Sequence, residues 1–183
     1  MNCKIIKSSR RTLGLEISTD GLVVRAPLKA TDADINAFIL KHKDWIDKHL
    51  KKAEERKQEL DKLEPLTMAE INELADKALK LIPERVRFYA PKVGVTYGRI
   101  TIRNQRSKWG SCSAKGNLNF NCLLMLTPPE VIDSVVVHEL CHRKQMNHSQ
   151  AFYAEVYRVM SDYDKWYGWL KKNGGAIMSR MVR

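Results

Sequence analysis

One stretch constrains this chain more than any other. It runs Val135-Val136-Val137-His138-Glu139-Leu140-Cys141-His142 and continues Arg143-Lys144-Gln145-Met146-Asn147-His148. The pattern is His-Glu-x-x-His, then five residues, then a third His. Residues four apart on a helix project from one face, one turn above the other. His138 and His142 can therefore both reach one metal ion, at roughly 2.0–2.1 Å if the ion is zinc. Glu139, swung one residue around the helix, need not be a ligand. It can lean over the open coordination position where a metal-bound water sits, the division of labour of metal-assisted hydrolysis.

The third His sharpens the reading. An uninterrupted helix would carry His148 up the axis and off the ligand face, so the chain must leave the helix near Gln145 to Asn147. Asn147 tolerates the left-handed turn expected there. Ser149 then reads as the N-cap of the next helix, Gln150 to Met160. Three neutral nitrogens plus a water is the open arrangement of catalytic zinc, whereas structural zinc is closed by four protein ligands. The motif can arise by chance, but three of the chain's five His fall inside these few residues at workable spacing.

The rest of the chain supplies the frame. At 183 residues it suits one compact domain, or one plus a small appendage. No apolar run reaches membrane-spanning length, and Met-Asn-Cys-Lys-Ile-Ile-Lys has no signal-peptide core, so no membrane association is expected. Cys3, Cys112, Cys122 and Cys141 form no Cys-x-x-Cys pair, which fits reduced thiols and a cytoplasmic location. Cys141, between the two helix His, reads as a small buried hydrophobe. The net charge is +11, and from Ala90 to Pro129 there are six Lys or Arg and no acid. One side of the metal site is expected to be electropositive.

In chain order, residues 3–7, 11–18 and 21–26 read as a strand meander, with Asp20-Gly21 as a hairpin turn. A long helix begins at Thr31-Asp32-Ala33-Asp34 and runs on through a charged, solvated face to Lys62, with His42 and His49 as structural or surface residues. Leu63-Glu64-Pro65 is the best internal boundary. It divides residues 1–63, strands plus long helix, from residues 64–183. A second helix carries Ile71, Leu74, Ala75, Ala78, Leu79 and Ile82 on one stripe; Pro83 is expected to kink or restart it, and it should end before Pro91. Arg99 to Arg103 alternates like a strand, Arg106 to Ser113 is a loop, and Leu118 to Leu126 is another strand. Thr127-Pro128-Pro129-Glu130 is a clear start for the buried metal helix, with Thr127 as cap. A packing helix, Asp162 to Asn173, should end at Gly174-Gly175.

Arg106-x-x-Trp109-Gly110-Ser111-Cys112-Ser113, Asn117 to Leu124, His138-Glu139-Leu140-Cys141-His142 and Asn147-His148-Ser149-x-x-Phe152 together resemble the YgjP-like metallopeptidases. These are relatives of the SprT-type proteases, within the broad zincin class. The resemblance implies an α+β fold, a small zincin-like metalloprotease domain whose edge strand lies along the cleft. It also implies His138, His142 and His148 as zinc ligands, Glu139 as catalytic base, and a peptide or protein substrate. Some members carry a nucleoside-triphosphate (UTP) pyrophosphatase label.

Asn117 to Leu123 alternates polar and apolar, so one face packs and the other is wetted. If it borders the cleft, its backbone can pair with an extended peptide; an ordinary sheet strand turned to water is the alternative. Arg106, Asn119 and Asn121 are the candidate substrate contacts, and Trp109 reads as packing beneath its loop. Three functions remain on the table. The first is a zinc peptidase. The second is a metal-dependent nucleoside triphosphate (UTP) pyrophosphohydrolase, with Arg103, Arg106, Lys108 and Lys115 meeting phosphates. The third is a basic nucleic-acid-binding module with a structural metal.

Overall fold

The computed structural model describes residues 3–18 and 21–181. They divide into two compact units, Met1–Lys62 and Leu63–Arg183, each with its own core.

In the first unit, β1 (Cys3–Ser8), β2 (Gly14–Ser18) and β3 (Gly21–Pro27) form a sheet in the order β1-β3-β2. This is not the expected meander, because β3 lies between its predecessors, parallel to β1 and antiparallel to β2. Burial explains the order. β3 is the most apolar strand, and Leu22, Val24 and Ala26 on it are buried together with Ile35 and Ile46. A strand that buries most takes the centre, where both edges are paired. Ser18 and Gly21 pair across the expected hairpin, while Asp20 of its turn lies outside the described residues.

Thr31 caps α1 (Asp32–Lys41) in a reciprocal box with Asp34. The long helix foreseen to Lys62 is interrupted once, at His42, before α2 (Lys43–Asp61). There the backbone tightens. The His42 N–H goes to Ile39 O at 3.1 Å, and its ring Nδ1 takes the Phe38 carbonyl at 2.8 Å.

The second unit is built on α3 (Met68–Val93), capped by a Thr67–Glu70 box and closed by Gly94 at φ 80°. The helix continues unbroken through Pro83 and Pro91. Each proline frees the carbonyl four residues back, and those belong to Leu79 and Arg87, both on the exposed face where water can serve them. The opposite face buries Ile71, Leu74, Ala78, Ile82, Val86, Ala90 and Val93, and that stripe keeps the helix whole. The start and end of the unit are joined by Leu66 N–H to Arg180 O, 2.6 Å, and Arg180 Nε to Glu64 O, 3.1 Å.

A second sheet has β4 (Ile100–Arg103), β5 (Gly110–Cys112) and β6 (Leu118–Asn121) in the order β4-β6-β5. The alternating strand at Leu118 is thus central, paired with β4 on one side and β5 on the other. The free edge beside the metal helix belongs to β5 instead, since Gly110 on it abuts Glu139.

The metal helix, α4 (Pro129–Cys141), is buried along nearly its whole length. It starts one residue later than expected: Pro128 is the cap, and the Thr127 hydroxyl donates to Leu124 O at 2.8 Å. Asp133 on α4 accepts two bonds from Arg85 of α3, at 2.6 and 2.5 Å, and one from Tyr89 at 3.0 Å. A buried carboxylate in an apolar helix needs such partners. α5 (Gln150–Val159) and α6 (Tyr163–Ser179) complete the unit. α6 does not stop at Gly174-Gly175. A Cβ on Gly174 would sit 3.1 Å from the Trp109 ring, so the glycine lets that indole lie against the helix. Among the described residues no helix is long and apolar enough to cross a membrane.

Candidate metal centre

His138 lies in the last turn of α4, and His142 is the residue that caps it. Their rings sit 4.9 Å apart, nearly perpendicular. The chain then tightens as it leaves the helix, with Lys144 and Gln145 N–H groups both bonding to Cys141 O at 3.0 and 3.1 Å. No described non-glycine residue has a positive φ. The left-handed turn expected at Asn147 is therefore not how the chain returns. Successive tightened turns do it, braced by the His142 ring. Ser149 caps α5 as foreseen, its hydroxyl accepting from Phe152 N–H at 3.4 Å.

This brings His148 back to the helix pair. Its Nε2 lies 3.0 Å from His138 Nε2, and the ligand atoms of His138, His142 and His148 all lie within 4.8 Å of one another. Two nitrogens bound to one tetrahedral ion at about 2.05 Å are about 3.3 Å apart. The three imidazoles fit a metal ion, and Cys141 does not join them. Burial pushes the Cys141 thiol up to about 12, as suits a packed, inert sulfur.

The outer ring nitrogens are held. His142 Nδ1 lies 3.0 Å from Gln145 O, and His138 Nδ1 lies 2.8 Å from the Tyr163 hydroxyl. Behind the rings, Phe152 forms a floor, with centroids 4.9, 4.6 and 5.0 Å from those of His138, His142 and His148. Burial, reinforced by the two neighbouring imidazoles, drives His138 down to about 3; burial also lowers His142. Both are thus neutral at ordinary pH, with lone pairs ready for a cation.

Glu139 is 5% exposed. Burial raises it to about 8, opposed by the charge of Lys108. A divalent ion in the His cluster would work the other way, favouring the carboxylate. Its side chain lies on the backbone of β5: a Cβ on Gly110 would meet Glu139 Cγ and Oε1, each at 2.7 Å.

The candidate substrate contacts fare differently. Arg106 is exposed on the 104–109 loop. Asn119 is half-buried, donating to Ser111 Oγ at 3.2 Å and accepting from Arg103 Nε at 3.1 Å. Asn121 is 0% exposed. Its amide donates to Gln105 O at 2.6 Å and Lys108 O at 3.0 Å, and its carbonyl accepts from Leu123 N–H at 3.1 Å. Its polar atoms are engaged in fastening the loop. Of the cations offered for phosphates, Arg103 is held by Asn119, Lys108 stands two residues before Gly110, and Lys115 is exposed at the β5–β6 turn.

Phe152, Gly110 and Tyr163 belong to the centre and were not singled out for it by sequence. Phe152 carried a local signal, since it follows His148 by four residues at the start of a helix. Gly110 stood in the motif that carries the resemblance but with no role assigned to it, and Tyr163 carried no signal, because packing alone brings it in.

The metal-binding geometry is matched by kinship. The family model of the YgjP-like metallopeptidase domain matches residues 11–73 and 62–173. The chain belongs to that family, a family of metal-dependent peptidases. Among solved structures it is similar to the metallopeptidase zymogen of Pyrococcus abyssi abylysin, with TM-score 0.46 and 19% identity, over 50% of this chain and 94% of that one. It is likewise similar to the metallopeptidase zymogen of Methanocaldococcus jannaschii jannalysin, with TM-score 0.45 and 21% identity, over 51% of this chain and 96% of that one. No curated protein matches the chain.

Proposed function

We propose that this protein is a zinc-dependent peptidase in which His138, His142 and His148 hold the metal and Glu139 is the general base. The observation that carries the reading is the convergence of three imidazole nitrogens within 4.8 Å beside a buried carboxylate. Zinc bound there would supply Lewis acidity, making an adjacent water easier to deprotonate and polarising the scissile carbonyl. Glu139 accepts the proton of the attacking water and returns it to the leaving amine nitrogen. Gly110 holds that carboxylate in place from the β5 side, and Phe152 screens the back of the imidazoles from water.

The substrate lies extended along β5. That strand is paired with β6 on one side only, and a peptide can add to its other edge through backbone bonds. The free thiols at all four cysteines support a reducing, cytoplasmic setting.

A phosphoanhydride substrate keeps one observation in its favour: Lys108 and Arg106 stand on the loop that leads into Gly110. Against it, pyrophosphohydrolysis more often draws on magnesium, which prefers oxygen ligands to imidazoles. The nucleic-acid module with a structural metal is disfavoured by a cluster of three ligands among the described residues, where four are expected.

The zinc-loaded protein and its Glu139→Gln variant, incubated in parallel with a denatured-protein mixture and with nucleoside triphosphates, separate the readings. Peptide cleavage lost in Glu139→Gln, with metal content unchanged, is the expected result. Pyrophosphate release lost in the same variant, without peptide cleavage, would overturn the peptidase reading.

A further inference from the structure

The two helix ligands are oriented by partners of different chemistry. His142 Nδ1 faces the Gln145 carbonyl at 3.0 Å. A carbonyl only accepts, so the proton sits on Nδ1 and Nε2 is left with a lone pair. His138 Nδ1 faces the Tyr163 hydroxyl at 2.8 Å, and a hydroxyl both donates and accepts. Tyr163 is 2% exposed, and its ring stacks on Tyr167, with centroids 5.5 Å apart and planes at 13°. It is the first residue of α6, so this bond ties the metal helix to a distant segment.

We propose that Tyr163 is a positioning residue for the metal, acting through His138. On the three-His centre proposed above, Tyr163 is a dedicated partner that orients the ligand ring. With metal bound, His138 carries its proton on Nδ1 and donates it to Tyr163, which aims Nε2 at the centre. Tyr163 is 2% exposed and packed on Tyr167, so the hydroxyl oxygen that receives this bond is fixed in position.

Tyr163→Phe removes the hydroxyl and keeps the stacked ring. The zinc dissociation constant, measured by competition with a chromophoric chelator, should rise 10–100-fold. Tyr167→Phe, which removes a hydroxyl from the adjacent ring, should leave it unchanged. Long-range ¹H–¹⁵N spectra of the zinc-loaded wild type should show His138 protonated at Nδ1, a readout that needs no variant. Unchanged affinity in Tyr163→Phe, or His138 bare at Nδ1 in the loaded wild type, would overturn the proposal. Failure of the underlying centre is distinguished at the first step, because the wild type itself would then take up no zinc and the proposal would fall with it.

Discussion

Replacing Gly110 by Ala adds a single methyl group in a confined place beside Glu139, the proposed general base. Built on the backbone, that methyl would stand 2.7 Å from both Cγ and Oε1 of Glu139 and 3.0 Å from Cδ. Something must shift by several tenths of an ångström. Glu139 cannot swing to solvent, because it is 5% exposed and sits on a helix buried almost throughout. Overpacking of this kind costs about 1–3 kcal/mol, which for a chain of this size lowers the melting temperature by roughly 2–12 °C. The larger effect is catalytic, since a misplacement near 1 Å costs about 10²-fold in rate. The proposed metal ligands are not touched, so zinc content should hold. The assay is kcat/KM on a peptide that the wild type cleaves, with zinc content and thermal melting on the same preparations. Wild-type kcat/KM and melting in Gly110→Ala would refute the claim that β5 holds Glu139 in place.

Arg85→Ala strands the Asp133 carboxylate inside α4 with only Tyr89 as a partner. Because Arg85 is itself about a third exposed, the loss is set at roughly 2–4 kcal/mol by denaturant titration, below the range for a fully buried pair. Asn121→Ala orphans Gln105 O, Lys108 O and Leu123 N–H together. It should cost about 2–4 kcal/mol, and limited proteolysis should then cut within residues 104–109 faster than in the wild type.

What could be seen in the sequence was what local geometry decides. A four-residue spacing puts His138 and His142 on one helix face, and a Ser after His148 starts the next helix; neither needs a distant partner. The stripe Ile71, Leu74, Ala78, Ile82 was legible for the same reason. Pro83 and Pro91 misled because the local cost of a proline was weighed without knowing which face it falls on. Here both freed carbonyls belong to residues on the exposed face, and the buried stripe overrides the break. Strand order could not be read, since β3 and β6 become central through pairing with strands remote in sequence. Asn121 looked like a wetted strand residue by alternation, yet it is buried because the 104–109 loop folds over it. Gly110 and Tyr163 entered the centre by packing from elsewhere, which no spacing encodes.

The proposed function stands on one zinc ion held by His138, His142 and His148. Elemental analysis of the purified wild type and of three variants, each with one of these His changed to Ala, tests it directly, with the chelator titration fixing affinities. About one zinc per wild-type chain is expected, and at least 10-fold weaker binding for each variant. Undiminished zinc content and affinity in His138→Ala would contradict it.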